Sequence, residues 1–196
     1  MKEIQSNINI IGGGLIGIAA AYSLSKLGYK VVVLEQNAKF DHKNILDKRT
    51  TAISEGTKKF LEEINIWKDI SYNAEPIKKI QITDRYQSNK IYFDNQRRKS
   101  NLGYIVKNEF ILDSFYKKLQ KQKNVKIFNN VSVKDIIYED NKIVTKLNNF
   151  VIKANLLLAS DGKNSSIRRI LKTPIYSKDY KKKAIVINFY HSKNHH

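Results

Sequence analysis

The segment 8–35 constrains this chain more than any other. An apolar run at 8–11 enters a G-x-G-x-x-G pattern, and a helical apolar run follows it to Leu27. A second apolar run, 31–34, ends directly before the carboxylate of Glu35. Strand, glycine turn, helix, strand and acid in this order are typical of a dinucleotide-binding βαβ unit.

The glycines of this pattern have separate expected roles. Gly12 allows a tight turn, Gly14 lets the backbone approach a pyrophosphate, and Gly17 lets the helix pack closely on the strand. Glu35 is spaced to accept hydrogen bonds from ribose hydroxyls, which favours FAD or NAD over NADP. The alternative is an ordinary strand–turn–helix whose glycines serve packing only.

Composition narrows the protein class. The 196 residues suffice for one domain plus part of a second. The net charge of +18 would suit nucleic acid or an anionic membrane, but the lysines are spread along the chain, so we expect no nucleic-acid binding. The absence of cysteine excludes disulfides. Because the sequence has neither a signal-peptide pattern nor a long apolar run, we expect a cytoplasmic protein.

Periodicity predicts the remaining elements. We expect helices at about 55–64, with Ser54 as N-cap, at 109–121 and at 165–171. Alternating residues predict a hairpin over 77–93, a three-stranded antiparallel meander over 131–153, and a last strand at 183–190. The continuous apolar run 154–159 predicts a buried parallel strand.

Arg49 and two of the histidines are further candidates for binding residues. Arg49 precedes a helix, where it could hold a phosphate or a flavin edge, or form a surface ion pair with Asp47. His191 and His195 have a metal-ligand spacing for a helix, but they follow a strand pattern, so we expect a solvated tail and no metal site. The sequence shows no triad or other catalytic side-chain set.

The segment 161–168 makes the pattern more specific. It fits D-G-x-x-S-x-h-R, where h is hydrophobic, directly after an apolar run. With the glycine-rich start, the chain resembles the FAD-dependent aromatic hydroxylases of the para-hydroxybenzoate hydroxylase type, and among them the ubiquinone-biosynthesis hydroxylases. Supporting segments are 47–54, 80–85, 102–108 and 184–188. The resemblance extends over nearly the whole chain.

The resemblance implies an α/β fold. A Rossmann-like FAD-binding domain, a parallel sheet with an inserted antiparallel meander, would comprise residues 1–76 and 101–175. Residues 77–100 and 176–196 would form an incomplete antiparallel sheet of a substrate domain. The family's proteins are much longer, and their remainder carries a second FAD motif and much of the substrate pocket. The chain therefore looks like the N-terminal part of a split or truncated hydroxylase, with apolar sheet surface exposed.

The resemblance also assigns positions around FAD. Glu35 would hold the adenosine ribose, and Arg49 would lie on the flavin side. The full set of implied cofactor-binding residues is Gly12, Gly13, Gly14, Gly17, Glu35, Arg49, Asn108, Asp161 and Gly162. Structural alternatives stay open for two of them, because Asn108 and Asp161 could instead cap helices, the latter pairing with Arg168.

The implied reaction is hydroxylation of a polyprenylated phenol by an FAD enzyme that uses NAD(P)H and O₂. Its lipid-like substrate would favour a peripheral location at the inner membrane, and a separate chain is one candidate source of the second half. Two alternatives stay open: another FAD or NAD oxidoreductase, such as an amine oxidase or a dehydrogenase, and a non-catalytic nucleotide-binding remnant.

Overall fold

A four-stranded parallel sheet forms the centre of the protein, in a computed structural model that describes residues 2–37, 49–83, 90–95, 100–187 and 192. In spatial order its strands are β13 (Leu156–Ala159), β2 (Ile8–Ile11), β3 (Val31–Leu34) and β9 (Val125–Phe128). Both β2 and β3 are buried along their whole length, which accounts for the unbroken apolar sequence of β3 and for that of β2, which only Asn9 interrupts. The predicted βαβ unit is confirmed.

Alternate residues of the central strands enter two separate cores. On one face, Ile10 and Val33 pack with helices α1 (Leu15–Lys26) and α4 (Asn108–Leu119). On the other face, Val32 and Leu34 belong to a smaller core. Because successive side chains of a strand point to opposite faces, each face of the sheet is covered by its own core.

The predicted meander supplies the cover on the second face. Its antiparallel strands are β10 (Asp135–Glu139), β11 (Lys142–Lys146) and β12 (Phe150–Ala154). An additional strand that the sequence analysis did not predict, β1 (Lys2–Gln5), pairs in parallel with β12. The run 154–159 is not one buried strand: it divides at Asn155, whose backbone N–H donates to the carbonyl of Asn7 at 3.0 Å, and Leu156 in β13 is 46% exposed.

A second small sheet carries the predicted 55–64 helix. Its order is β4 (Thr50–Ser54), β8 (Gly103–Lys107) and β5 (Glu75–Ile77). Helix α2 (Glu55–Glu63) follows β4, then α3 (Trp67–Ile70) and a 3₁₀ turn (Ser71–Asn73). Ser54 caps α2 as predicted, because its hydroxyl accepts from the N–H of Thr57 at 3.2 Å. Helix α5 (Ser166–Ile170) is also confirmed.

The predicted hairpin is formed by β6 (Lys79–Thr83) and β7 (Lys90–Asp94), while its connecting residues 84–89 lie outside the described part. The cross-strand pairs Ile80–Phe93 and Ile82–Ile91 place four apolar side chains on one face. Their exposed fractions lie between 42% and 57%. The expected exposed apolar sheet surface is therefore confirmed.

The predicted strand at 183–190 is wrong where the structure describes it. Residues 183–187 form no strand, and Ile185 is 82% exposed. An alternating sequence becomes a strand only when a neighbouring edge accepts its backbone hydrogen bonds, and no described strand pairs with these residues. Residues 188–190 and all four histidines lie outside the described part.

Helix length and side-chain grouping also limit what the described residues can form. None of their helices is both long enough and apolar enough to cross a membrane. Within the same ranges, no three acidic or histidine side chains are grouped as a metal site would need.

A buried polar pair joins the parallel sheet to the meander. Asn9 Nδ2 donates to Thr145 Oγ1 at 2.8 Å, and both residues are fully buried. We expect Thr145→Val to lower the free energy of unfolding by about 1–3 kcal/mol, because the Asn9 amide loses its acceptor. Urea denaturation measures this change.

The double variant Asn9→Leu/Thr145→Val is the control, because it replaces both partners with apolar groups. Its stability should lie closer to that of the wild type than the sum of the two single changes. Simple additivity of the two losses would contradict a direct interaction.

Candidate nucleotide site

A cleft of about 390 Å³ opens where the strands β2, β3 and β13 end. Gly12 and Gly14 line it after β2, Glu35 after β3, and Asp161 and Gly162 after β13. The carboxyl ends of parallel strands are where open α/β sheets bind ligands, and the volume suits a small-molecule site. Five of the nine cofactor-binding positions expected from the sequence therefore border one cavity.

The first and last glycines of the pattern are required by the fold. Gly12 has φ +106°, and a Cβ there would overlap the carbonyl of Ser160. A Cβ on Gly17 would overlap the carbonyl oxygen of Gly12. These contacts let helix α1 begin directly against the turn that leaves β2.

Gly14 differs from both, because no packing contact requires it to be glycine. A Cβ at this position would meet nothing within 4 Å, and its φ of −73° suits any residue. Gly14 is the N-cap of α1, and among the described residues no side chain caps this helix. The N–H groups of its first turn and its partial positive charge are therefore available to an anion.

Glu35 is fixed against the glycine loop. Its Oε2 accepts from the N–H of Gly13 at 2.5 Å. Its Oε1 accepts from the backbone and the side-chain N–H groups of Asn37, each at 2.8 Å. The carboxylate thus lies at the cleft edge with a set orientation, and the remaining lone pairs on its oxygens can accept ribose hydroxyls.

Tyr116 is a residue that the sequence analysis missed. It lies on α4, is 5% exposed, and donates its hydroxyl to the carbonyl of Gly13 at 3.2 Å. Burial, and then the negative charge of Glu35, raise the pKa of Tyr116, so the phenol stays protonated and remains a donor. Tyr116 follows Leu112 by four residues, and residues at this spacing lie on the same face of a helix. This spacing could have indicated that Tyr116 faces the core, as Leu112 does.

Asp161 binds the first turn of helix α5, whose N-cap residue is Ser165. Its Oδ2 accepts from the N–H of Ser166 at 2.6 Å and the N–H of Ile167 at 3.2 Å. Burial acts to raise the pKa of Asp161, but hydrogen bonds from Ser165, Ile167 and Ser166 outweigh it and lower that pKa. The other oxygen, Oδ1, is buried without a hydrogen-bond partner among the described residues.

The turn after Asp161 is shaped by Gly162 and Arg168. Gly162 has φ +82°, a conformation that favours glycine. Arg168 Nη2 donates to the carbonyl of Lys163 and closes the turn. The guanidinium of Arg168 therefore bonds to the turn itself, and the described residues show no ion pair between Arg168 and Asp161.

Arg49 and Asn108 lie next to each other at one end of the β4–β8 pair, directly before β4 and directly after β8. The N–H of Asn108 donates to the carbonyl of Arg49 at 2.9 Å, and Asn108 Oδ1 accepts from the Thr51 hydroxyl at 2.6 Å. Asn108 is the first residue of α4 and Lys107 is its N-cap, so the capping alternative for Asn108 is wrong. Neither Arg49 nor Asn108 lines the cleft. Asp47, the alternative partner of Arg49, lies outside the described residues.

Comparison with known families decides the identity of the fold. A family model described as FAD binding domain matches residues 5–194. This chain belongs to that FAD-binding family. The parallel sheet, its inserted meander and the antiparallel β6–β7 ribbon match the fold class predicted from the sequence, and FAD is the cofactor of the family.

Curated relatives of this FAD-binding chain are longer than it. It is 27% identical to the ubiquinone biosynthesis monooxygenase COQ6 of Dictyostelium discoideum, over 94% of this chain and 43% of that protein. It is 26% identical to the 3-demethoxyubiquinol 3-hydroxylase of Escherichia coli, over 96% of this chain and 49% of that protein. The chain therefore spans less than half the length of these relatives.

A solved structure shows the same fold. The p-nitrophenol 4-monooxygenase PnpA of Pseudomonas putida superposes with a TM-score of 0.73 at 21% identity, covering 87% of this chain and 44% of PnpA.

The cleft residues fit one end of FAD. The α1 N-terminus presents N–H donors of the kind that hold phosphates, and Glu35 presents acceptors of the kind that hold ribose hydroxyls. The unpaired oxygen of Asp161 is an acceptor and suits a hydroxyl rather than a phosphate.

The glycine geometry predicts that the same substitution, glycine to alanine, lowers stability by different amounts at positions 17 and 14. Gly17→Ala should destabilise the protein by about 1–3 kcal/mol or more, because its methyl group overlaps the Gly12 carbonyl. Gly14→Ala should cost less than about 1 kcal/mol, the usual range for exchanging glycine and alanine at an N-cap. Urea unfolding of both variants measures the difference. Equal losses of unfolding free energy would contradict the conclusion that the fold requires glycine at position 17 but not at position 14.

Proposed function

We propose that this chain forms the FAD-binding part of an aromatic-ring monooxygenase of ubiquinone biosynthesis. The observation that carries the proposal is one cleft bordered by the glycine loop, Glu35 and the Asp161–Gly162 turn. Its support comes from relatives that are named as ubiquinone-biosynthesis monooxygenase and demethoxyubiquinol hydroxylase. The proposed substrate is a polyprenylated phenol, with NAD(P)H as electron donor.

In this proposal different residues of the chain bind different parts of FAD. Gly12, Gly13, Gly14 and Gly17 form the pyrophosphate site with the first turn of α1, and Glu35 holds the adenosine ribose. Asp161 and Gly162 face the middle of the cofactor. Bound FAD supplies electron transfer from NAD(P)H to O₂, with entry of one oxygen atom into the ring. The chain's share is to bind and orient it.

The flavin side of the proposed site involves Arg49 and Asn108. The buried Asn108 amide is held by Thr51, and its backbone N–H fixes the carbonyl of Arg49. These two hydrogen bonds fix the backbone at the place where β4 begins opposite the end of β8. A guanidinium carried on a fixed backbone is suited to the polar edge of a flavin.

We propose that substrate binding also needs the segment that the longer relatives have in addition to the part matched by this chain. We assign residues 1–76 and 101–175 to the FAD-binding domain and 77–100 and 176–196 to a partial substrate domain. The uncovered apolar face of β6 and β7 supports this division, because a two-stranded ribbon is rarely stable alone. The further segment of the longer relatives, in the same or a separate chain, would cover that face and complete the pocket.

The proposed substrate also implies a location. A polyprenyl tail stays in a bilayer, so the complete enzyme would act at the membrane surface. The net charge of +18 would favour contact with anionic lipid.

A second candidate is nucleotide binding without hydroxylation. It is favoured by the cleft itself, because its glycine loop, Glu35 and the Asp161–Gly162 turn are groups that bind a nucleotide.

Calorimetric titration of the 196-residue protein with FAD and with ADP tests the proposed site. Both should bind, and Gly14→Ala should weaken binding about tenfold or more, because its methyl group occupies the space that a phosphate would approach. The control Gly56→Ala, a glycine in helix α2, should leave binding unchanged. Absence of FAD and ADP binding would contradict the proposed function.

Turnover separates the two candidates. We expect the 196-residue protein to show no phenol-stimulated NAD(P)H oxidation alone and to gain it with the additional segment of a longer relative. Ring hydroxylation by the chain alone would contradict the need for that segment. Continued inactivity of a flavin-loaded complex would favour the binding-only candidate.

A further inference from the structure

The middle glycine of the loop is held through both of its backbone groups. Its N–H donates to Glu35 Oε2 at 2.5 Å, and its carbonyl accepts from the Tyr116 hydroxyl at 3.2 Å. Gly13 itself is buried, and a Cβ there would lie 3.0 Å from Glu35 Oε2 and 3.1 Å from the Tyr116 oxygen. Two side chains from distant parts of the chain therefore fix this residue from opposite ends.

The orientation of the Gly13 carbonyl determines the orientation of the next N–H. In a trans peptide the carbonyl oxygen and the following amide hydrogen point in opposite directions, and the described residues contain no cis peptide bond. The Gly13 carbonyl points inward to Tyr116, so the N–H of Gly14 points outward. Gly14 is exposed and lines the cleft.

A hydrogen bond to the carbonyl also strengthens the amide as a donor. Hydrogen bonds along a chain of peptide groups polarise one another, so a carbonyl that accepts a hydrogen bond makes the N–H of the same peptide group, here that of Gly14, more positive. The phenol is suited to this role because burial and the charge of Glu35 raise its pKa and keep it protonated. Its rigid ring is packed within the main core.

We propose that Tyr116 is a positioning residue for the cofactor phosphates, because its hydroxyl holds the Gly13–Gly14 peptide with the Gly14 N–H directed into the cleft. The inference rests on the proposed FAD site and names a residue outside the glycine motif that controls it. Tyr116 does not line the cleft and acts through the backbone.

The test compares Tyr116→Phe with a matched control, Tyr22→Phe. Both tyrosines are 5% exposed and belong to the same core, so each substitution removes one buried hydroxyl. ADP and adenosine are titrated into each protein, and their dissociation constants are measured by two-dimensional NMR. ADP carries the phosphates that Gly14 would meet, and adenosine lacks them.

Tyr116→Phe should raise the Kd for ADP about three- to tenfold, the usual effect of one lost hydrogen bond, and should change the Kd for adenosine less than twofold. Tyr22→Phe should change neither. An unchanged Kd for ADP in Tyr116→Phe would overturn the proposal, and so would equal weakening of ADP and adenosine, which indicates general loosening of the site. Failure of the wild-type protein to bind ADP would instead overturn the proposed function itself.

Discussion

The close approach of helix α1 to the turn after β2 is the constraint on which the rest of the structure depends. At Gly17 the helix backbone comes so near the carbonyl of Gly12 that no side chain can stand between them. This contact places the start of α1 at the carboxyl edge of the sheet. The same edge then receives Glu35 from β3 and the Asp161 turn from β13. One backbone contact thus gives the cleft both its position and its available N–H groups.

Distant residues complete what the glycines begin. Glu35 and Tyr116 hold opposite ends of Gly13, although Tyr116 lies on a helix 103 residues away in sequence. The loop has little side-chain mass of its own, so its geometry is set by the groups packed behind it. The glycine segment is ordered because its carbonyl and amide groups have fixed partners, and the proposed anion site depends on that order.

Features controlled by local sequence were predictable. The βαβ unit, the meander, the hairpin and the Ser54 cap all follow from periodicity or capping chemistry within a few residues. Features controlled by distant pairing were not. Strand β1 exists because β12 accepts it, β4 because β8 does, and residues 183–187 remain unpaired among the described strands. The contact between Tyr116 and Gly13 could not be predicted for the same reason, since the partner of the phenol is a backbone carbonyl in a distant part of the chain.

Titration of the isotopically labelled protein with FAD, followed by backbone amide NMR, tests the central claim most directly. The claim is that FAD binds at the carboxyl edge of the parallel sheet. The largest shifts should come from Gly13, Gly14 and Asn37, and from Gly162 across the cleft. The opposite, amino edge carries a second cavity of about 350 Å³ bordered by Lys30, Lys123 and Lys126. Shifts confined to that lysine-lined edge, with the glycine loop unchanged, would contradict the account.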